Sequence, residues 1–296
     1  MKLKETIACV VLCAMTLSLG SCTDAEEVIN NDIPVGYAPV SVHVDDFTIS
    51  MGEFPGTRGP VDPANYEDIG AITLAFYQGS TEVFKETQQK KTAISFGTFS
   101  LSLPIGAYKM VVLGYDFYSG DELVLTSPTS AAFTSDHVRE TFTYTEDVTI
   151  SSTAGVSLSA TLNRVVAEVK IVSTDNKSAD ASTVRTTFSG GGKAFNPTTG
   201  LATADTGLSN TVGASLPVGK PTTSYNDVFL TSDEEEVDLT IEVLDAQGGT
   251  ISQRTVPNVP LKRNRITTLR GALYTSGATA AFQLEIDWLP GTEIPF

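Results

Sequence analysis

The chain has 296 residues and a formal charge of −16, with 19 Lys and Arg against 35 Asp and Glu. A polyanion of this size repels nucleic acid and anionic lipid headgroups, which argues against a nucleic-acid partner. Of its three cysteines, Cys9 and Cys13 fall in a leader segment, so the mature domains are expected to have neither a disulfide nor a thiol nucleophile. About 275 residues beyond the leader suffice for roughly two domains held by burial alone.

Lys2 and Lys4 precede an apolar run from Ile7 to Leu19. The run is shorter than the roughly 20 residues a spanning helix needs, and it fits the h-region of an export signal. The tetrapeptide Leu19-Gly20-Ser21-Cys22 resembles a bacterial lipobox, which makes residues 1–21 the signal peptide and Cys22 the acylated first residue of the mature chain. Several acyl chains, each worth about 0.8 kcal/mol per buried CH₂, would hold it stably to a membrane. Residues 22–36, with Asp24, Glu26 and Glu27, lack an apolar period and read as an acidic tether. That cluster is similar to the surface-export signal of Bacteroidota lipoproteins; an ordinary solvated linker is the other reading. The expected location is the outer membrane, lipid-anchored and facing outward.

The first mature strand carries Val40, Val42 and Val44 in one phase and Phe47, Ile49 and Met51 in the other. A bulge at Asp45-Asp46 would put both sets on the core side. A breaker-rich loop, Gly52 to Pro60, follows and presents Arg58; exposed loops of this kind are where proteases cut. Further strands are expected at Ile69–Tyr77, Thr81–Glu86, Thr98–Leu103, Ala107–Phe117, Glu140–Ile150 and Val156–Leu162. In the second half they are expected at Arg164–Ile171, Asp227–Leu230, Val237–Val243, Thr250–Val256, Ile266–Tyr274 and Phe282–Trp288. The alternation is cleanest at Val165, Ala167, Val169 and Ile171, and at Val237, Leu239, Ile241 and Val243, as in antiparallel strands with one wet face. Turn signals such as Gln78-Gly79-Ser80, Gly190-Gly191-Gly192 and Gln247-Gly248-Gly249 punctuate them. No long amphipathic helix is present, although Ser178 to Val184 could hold a turn or two. The fold class is all-β, with two tandem antiparallel β-sandwich domains at 37–160 and 161–296. Leu103-Pro104 and Val259-Pro260 give a faint echo between the halves.

Enzyme chemistry finds little support. His43 and His137 lie in separate regions without triad or zinc spacing. Gly190-Gly191-Gly192-Lys193 lacks the Ser or Thr and the strand-to-helix setting of a phosphate loop and reads as a hairpin turn. The run Asp233, Glu234, Glu235, Glu236 and Asp238 lacks a calcium loop's glycine and alternating ligands, and reads as solvated. No catalytic residue, metal or cofactor is assigned. Tyr115, Phe117 and Tyr118 either fill the core or offer faces to sugar rings, so a surface glycan-binding lipoprotein is one alternative function.

The lipobox, Thr57-Arg58, Leu162 to Val169, Gly190 to Gly200 and Val259 to Thr267 together resemble the fimbrillin-type (type V pilus) subunits of Bacteroidota and their related anchor subunits. The resemblance implies two transthyretin-like, Greek-key sandwiches exported as a lipoprotein. It implies cleavage after Arg58, leaving Gly59 as a new amino terminus, with the first strand replaced by a donor strand from a neighbouring subunit. The partners implied are other fimbrial subunits, the outer membrane and a host or bacterial surface ligand. The candidate donor is Phe282 to Phe296, of which Phe282 to Trp288 reads first as an ordinary core strand of the second domain and only Leu289 to Phe296 as an appendage. An anchor subunit would instead keep its lipid and its first strand.

Overall fold

Period-two alternation of apolar residues marks many of the strands, among them Val166–Ser173 and Glu234–Leu244. A computed structural model describes residues 35–48, 66–213, 217–275 and 283–286. Cys22, Arg58 and Gly59, the signal peptide and nearly all of the tether lie outside the described residues.

The strands of the first half are β1 (Tyr37–Thr48), β2 (Ala71–Gln78), β3 (Thr81–Gln89), β4 (Thr98–Pro104), β5 (Gly106–Tyr115), β6 (Leu123–Ser127), β7 (Ser130–Phe133), β8 (Thr141–Ile150) and β9 (Val156–Arg164). The second half contributes β10 (Val166–Ser173), β11 (Thr183–Phe188), β12 (Ala194–Asn196), β13 (Leu201–Ala202), β14 (Leu208–Val212), β15 (Thr223–Phe229), β16 (Glu234–Leu244), β17 (Thr250–Lys262), β18 (Ile266–Gly271) and β19 (Gln283–Ile286). No helix occurs among the described residues. The all-β sandwich class expected from the sequence is therefore the observed one.

The first half forms a seven-stranded sheet in the order β3-β2-β5-β8-β9-β1-β4. It turns a corner where β8 and β9 pair through only Phe142↔Arg164 and Thr143↔Asn163. Val40, Val42, Val44, Phe99, Leu103, Val112, Phe142 and Leu162 share the core enclosed by its two wings. The second half has two four-stranded sheets, β15-β10-β18-β19 and β14-β11-β16-β17.

Strand pairing repeats between the halves. β1 runs antiparallel to β4 and parallel to β9, as β10 runs antiparallel to β15 and parallel to β18. β2 lies between β3 and β5, and β5 continues to β8, as β11 lies between β14 and β16, and β16 continues to β17. Each half adds one hairpin at a different point in this order: β6-β7 after β5, and β12-β13 after β11. These two hairpins join edge to edge through β7 and β12 in a sheet that both halves build. Phe195 stacks on Phe229 at 4.4 Å, Phe133 stacks on Phe229 at 6.3 Å, and Tyr115 meets Phe133 edge-on. A single cluster of buried side chains consequently runs from Leu113 and Tyr115 to Val169 and Leu239.

Several sequence-level expectations are corrected in detail. Ser178 to Val184 is not helical: it makes one hydrogen-bonded turn, Ala181 N donating to Ser178 O at 3.3 Å, and then enters β11, where β-branched residues help place Val184, Thr186 and Phe188 in the core. Gly190 to Gly192 is not a hairpin turn, because β11 and β12 belong to different sheets. The segment passes against Phe229, and a Cβ on Gly191 (φ +70°) would lie 2.6 Å from Phe229 O. Among the described residues antiparallel pairing has two exceptions, β1 with β9 and β10 with β18, both separated by the long crossovers that parallel pairs need. The two Pro dipeptides fall on β4 and β17, which are not counterparts, so the internal repeat is topological and owes nothing to that echo.

Candidate functional site: the seat of the first strand

β1 is an interior strand, held on one side by β9 and on the other by β4. Its neighbours fix a register of Val40 opposite Leu101 and Val156, and Val42 opposite Phe99 and Leu158. The ladder to β9 slips between Val44 and Asp46, so the expected bulge is present. Its effect is the one the alternation demanded: Val40, Val42 and Val44 before it and Phe47 after it are all at most 2% exposed. Ile49 and Met51 lie outside the described residues. At about 1.5–3 kcal/mol per large apolar side chain, these four contribute on the order of 10 kcal/mol to seating the strand. Without β1, Phe99, Leu103, Ala160 and Leu162 would face an open slot.

The carboxyl-terminal end of β1 meets a polar network under an aromatic cap. Phe47 packs on Tyr66 at 5.5 Å and edge-on against Phe142 at 5.0 Å, and Tyr66 meets Phe142 at 5.6 Å. Tyr66 Oη donates to Glu140 Oε1 at 2.8 Å and accepts from Arg164 Nη2 at 2.6 Å. Arg164 is also ion-paired with Glu140, and its guanidinium lies 5.0 Å from the centre of the Phe142 ring. Burial, followed by the nearby Glu140 charge, pushes the Tyr66 phenol up, so it stays neutral and can donate. Burial also raises the Glu140 carboxyl, opposed by Arg164 and the Tyr66 hydrogen bond. Tyr66, Glu140 and Arg164 were not among the sequence candidates: three polar residues spread over 99 positions have no spacing that marks them as partners.

The remaining candidates separate cleanly. Tyr115 is 2% exposed and belongs to the core, Phe117 packs against it, and only Tyr118 is exposed, with Arg139 4.9 Å from its ring centre. That removes Tyr115 from any sugar-stacking face. His43 lies on the wet phase of β1, 3.0 Å from Thr98 Oγ1, and His137 is in a separate half-buried loop. The acidic run after Thr231 is matched to cations at the end of β17: Arg263 pairs with Asp233 at 2.6 Å, and Lys262 pairs with Glu234. Lys193 likewise pairs with Asp136 at 2.7 Å. Among the described residues no group of three His, Cys, Asp or Glu is placed to hold a metal ion. Gln283–Ile286 of the candidate donor pairs antiparallel with β18 of its own chain; Phe282 and 287–296 lie outside the described residues.

A family profile described as a family of unknown function, DUF6562, matches residues 73–289. The chain belongs to the DUF6562 family. The match runs from within β2 to just past β19 and so spans both hairpins of the shared sheet, while β1 lies ahead of it. No curated protein sequence matches this DUF6562 chain. Among solved structures, it is similar to a candidate adhesin from Bacteroides ovatus (11% identity, TM-score 0.54, covering 87% of this chain and 97% of the other). It is also similar to the fimbrial anchor protein Mfa2 from Porphyromonas gingivalis (12% identity, TM-score 0.53, covering 86% and 98%). A third is a candidate polysaccharide-binding protein from Bacteroides thetaiotaomicron (10% identity, TM-score 0.52, covering 84% and 96%). At these identities the likeness is one of fold.

Proposed function

We propose that this DUF6562 chain is a non-enzymatic structural subunit of a surface fimbria or adhesin. In this reading it is exported, lipidated at Cys22 and attached to the outer membrane. It joins like subunits by exchange of an extended strand at the seat of β1, and the assembly supports adhesion. The observation that carries the reading is the position of β1. Its place ahead of the other described strands lets it leave without rethreading them, while its interior place gives an incoming strand a ladder on each side and a row of apolar pockets. The fold likeness to a fimbrial anchor protein supports the same reading.

A second form is the anchor subunit, which keeps its lipid and its first strand; the burial of Phe47 beneath Tyr66 favours it. Mass spectrometry of the protein taken from its native surface separates the two. A terminus at acylated Cys22 indicates the anchor, and a terminus at Gly59 indicates a cut and assembled subunit. Neither terminus, together with unchanged sorting of Cys22→Ala, would sink the proposal.

A further inference from the structure

Residues 49–65 connect β1 to Tyr66, so Phe47 and Tyr66 stand on opposite sides of any break made in that connection. The two rings nevertheless touch, at 5.5 Å, and both lean on Phe142. Tyr66 is only 8% exposed, and its hydroxyl is tied to two further elements: Glu140, directly before β8, and Arg164, the last residue of β9. β8 and β9 themselves share only two paired positions at this corner. One side chain thus holds together the end of β1, the start of β8 and the end of β9.

We infer that Tyr66 is a clasp that keeps β1 seated independently of the covalent connection, so that cutting the connection and releasing the strand are separate events. The inference rests on reading β1 as the strand that is exchanged or retained. Its chemistry is entirely noncovalent. The aromatic contacts hold Phe47, and the Oη hydrogen bonds fix the Tyr66 ring so that it cannot turn away from Phe47. A strand gripped this way leaves slowly after a cut, because departure of Phe47 exposes the Tyr66 and Phe142 rings as well as its own. Tyr66 is a positioning residue: it holds the strand's end and reacts with nothing.

The test uses the mature chain with a specific protease site placed within residues 49–65. After complete cutting, the fragment carrying β1 is expected to co-elute with the body in gel filtration. Exchange for a labelled peptide of residues 37–48 is expected to be at least tenfold faster in Tyr66→Ala and severalfold faster in Tyr66→Phe, which keeps the ring and loses the hydroxyl. Val184→Ala, a core change in the second half, serves as a control for general loss of stability and should leave the exchange rate unchanged. If Tyr66→Ala does not fold, the Tyr66→Phe rate decides. Loss of the wild-type fragment on cutting would overturn the inference, as would equal exchange in wild type and Tyr66→Phe, or acceleration by Val184→Ala to the same degree. Native cleavage at Arg58 is read separately from the amino terminus, so failure of the assembly proposal and failure of the clasp give different results.

Discussion

The ring of Phe47 occupies the space that a side chain at position 114 would fill: a Cβ on Gly114 would lie 2.5 Å from Phe47 Cε1. β5 must therefore carry glycine at a point where it faces the end of β1. Gly114→Ala is expected to destabilise the fold by about 1–3 kcal/mol through overpacking. Phe47→Leu should restore part of that loss in the double variant, giving a favourable coupling in a denaturation double-mutant cycle. Additive losses would show that the two positions do not share this space.

The bulge in β1 is expected to act only as a spacer. Deleting Asp45 leaves one residue between Val44 and Phe47, which restores plain alternation and keeps Phe47 opposite Leu162 on the core face. The deletion variant should therefore stay within about 1 kcal/mol of the parent chain in urea denaturation. A loss of about 3–5 kcal/mol, that of a buried ring, would show that Phe47 had left the core.

The shared sheet is expected to make the two halves unfold as a single cooperative body. Urea unfolding is expected to show one transition by fluorescence and by circular dichroism. Phe229→Ala, which empties the stack between Phe133 and Phe195, should lower that whole transition by about 3–5 kcal/mol. Two well-separated transitions in the parent chain would show that the halves unfold independently.

Stability should also report a pair of carboxyl groups. Glu168 stands directly opposite Asp227 in the β10–β15 ladder. Burial, then the charge of Glu140, pushes Glu168 up to about 7, and burial, then Glu168, raises Asp227. Arg164 and Lys170 oppose the shift of Glu168, and Asp68 reinforces it. An acid that holds its proton in the folded state but loses it near 4.3 when unfolded contributes full stability below that value, and this is lost as pH rises towards about 7. Glu168→Gln cannot ionise. It should match the parent near pH 4.5 and become the more stable by on the order of 1–3 kcal/mol at pH 8. A stability difference that stays constant from pH 4.5 to pH 8 would refute this.

Much of the fold was legible because burial on one face writes itself as alternation. Val237 to Val243 and Val165 to Ile171 were readable for that reason, and the β1 bulge was readable because a slip in phase can be rescued in only one way. The hairpins that join the halves were not. β12 and β13 have three and two residues, too short to show any period, and their partner β7 lies more than sixty residues away in the chain. β11 was missed because Thr183-Val184-Arg185-Thr186-Thr187-Phe188 buries a threonine where the pattern calls for an aliphatic residue. At the site, Phe47 and its neighbours were legible as an apolar set. Tyr66 was not, because its role depends on a corner that brings residues 47, 66, 140 and 164 together, and only the folded chain supplies that proximity.

Among the described residues β4 has β1 as its one ladder partner, since its far side is the sheet's edge. Withdrawing β1 would leave β4 adrift with a row of unanswered amides and carbonyls. A vacant seat would then lose one of its walls before a newcomer could read it. Any replacement of β1 must accordingly be concerted, the arriving strand taking over each position along β4 as the departing one gives it up.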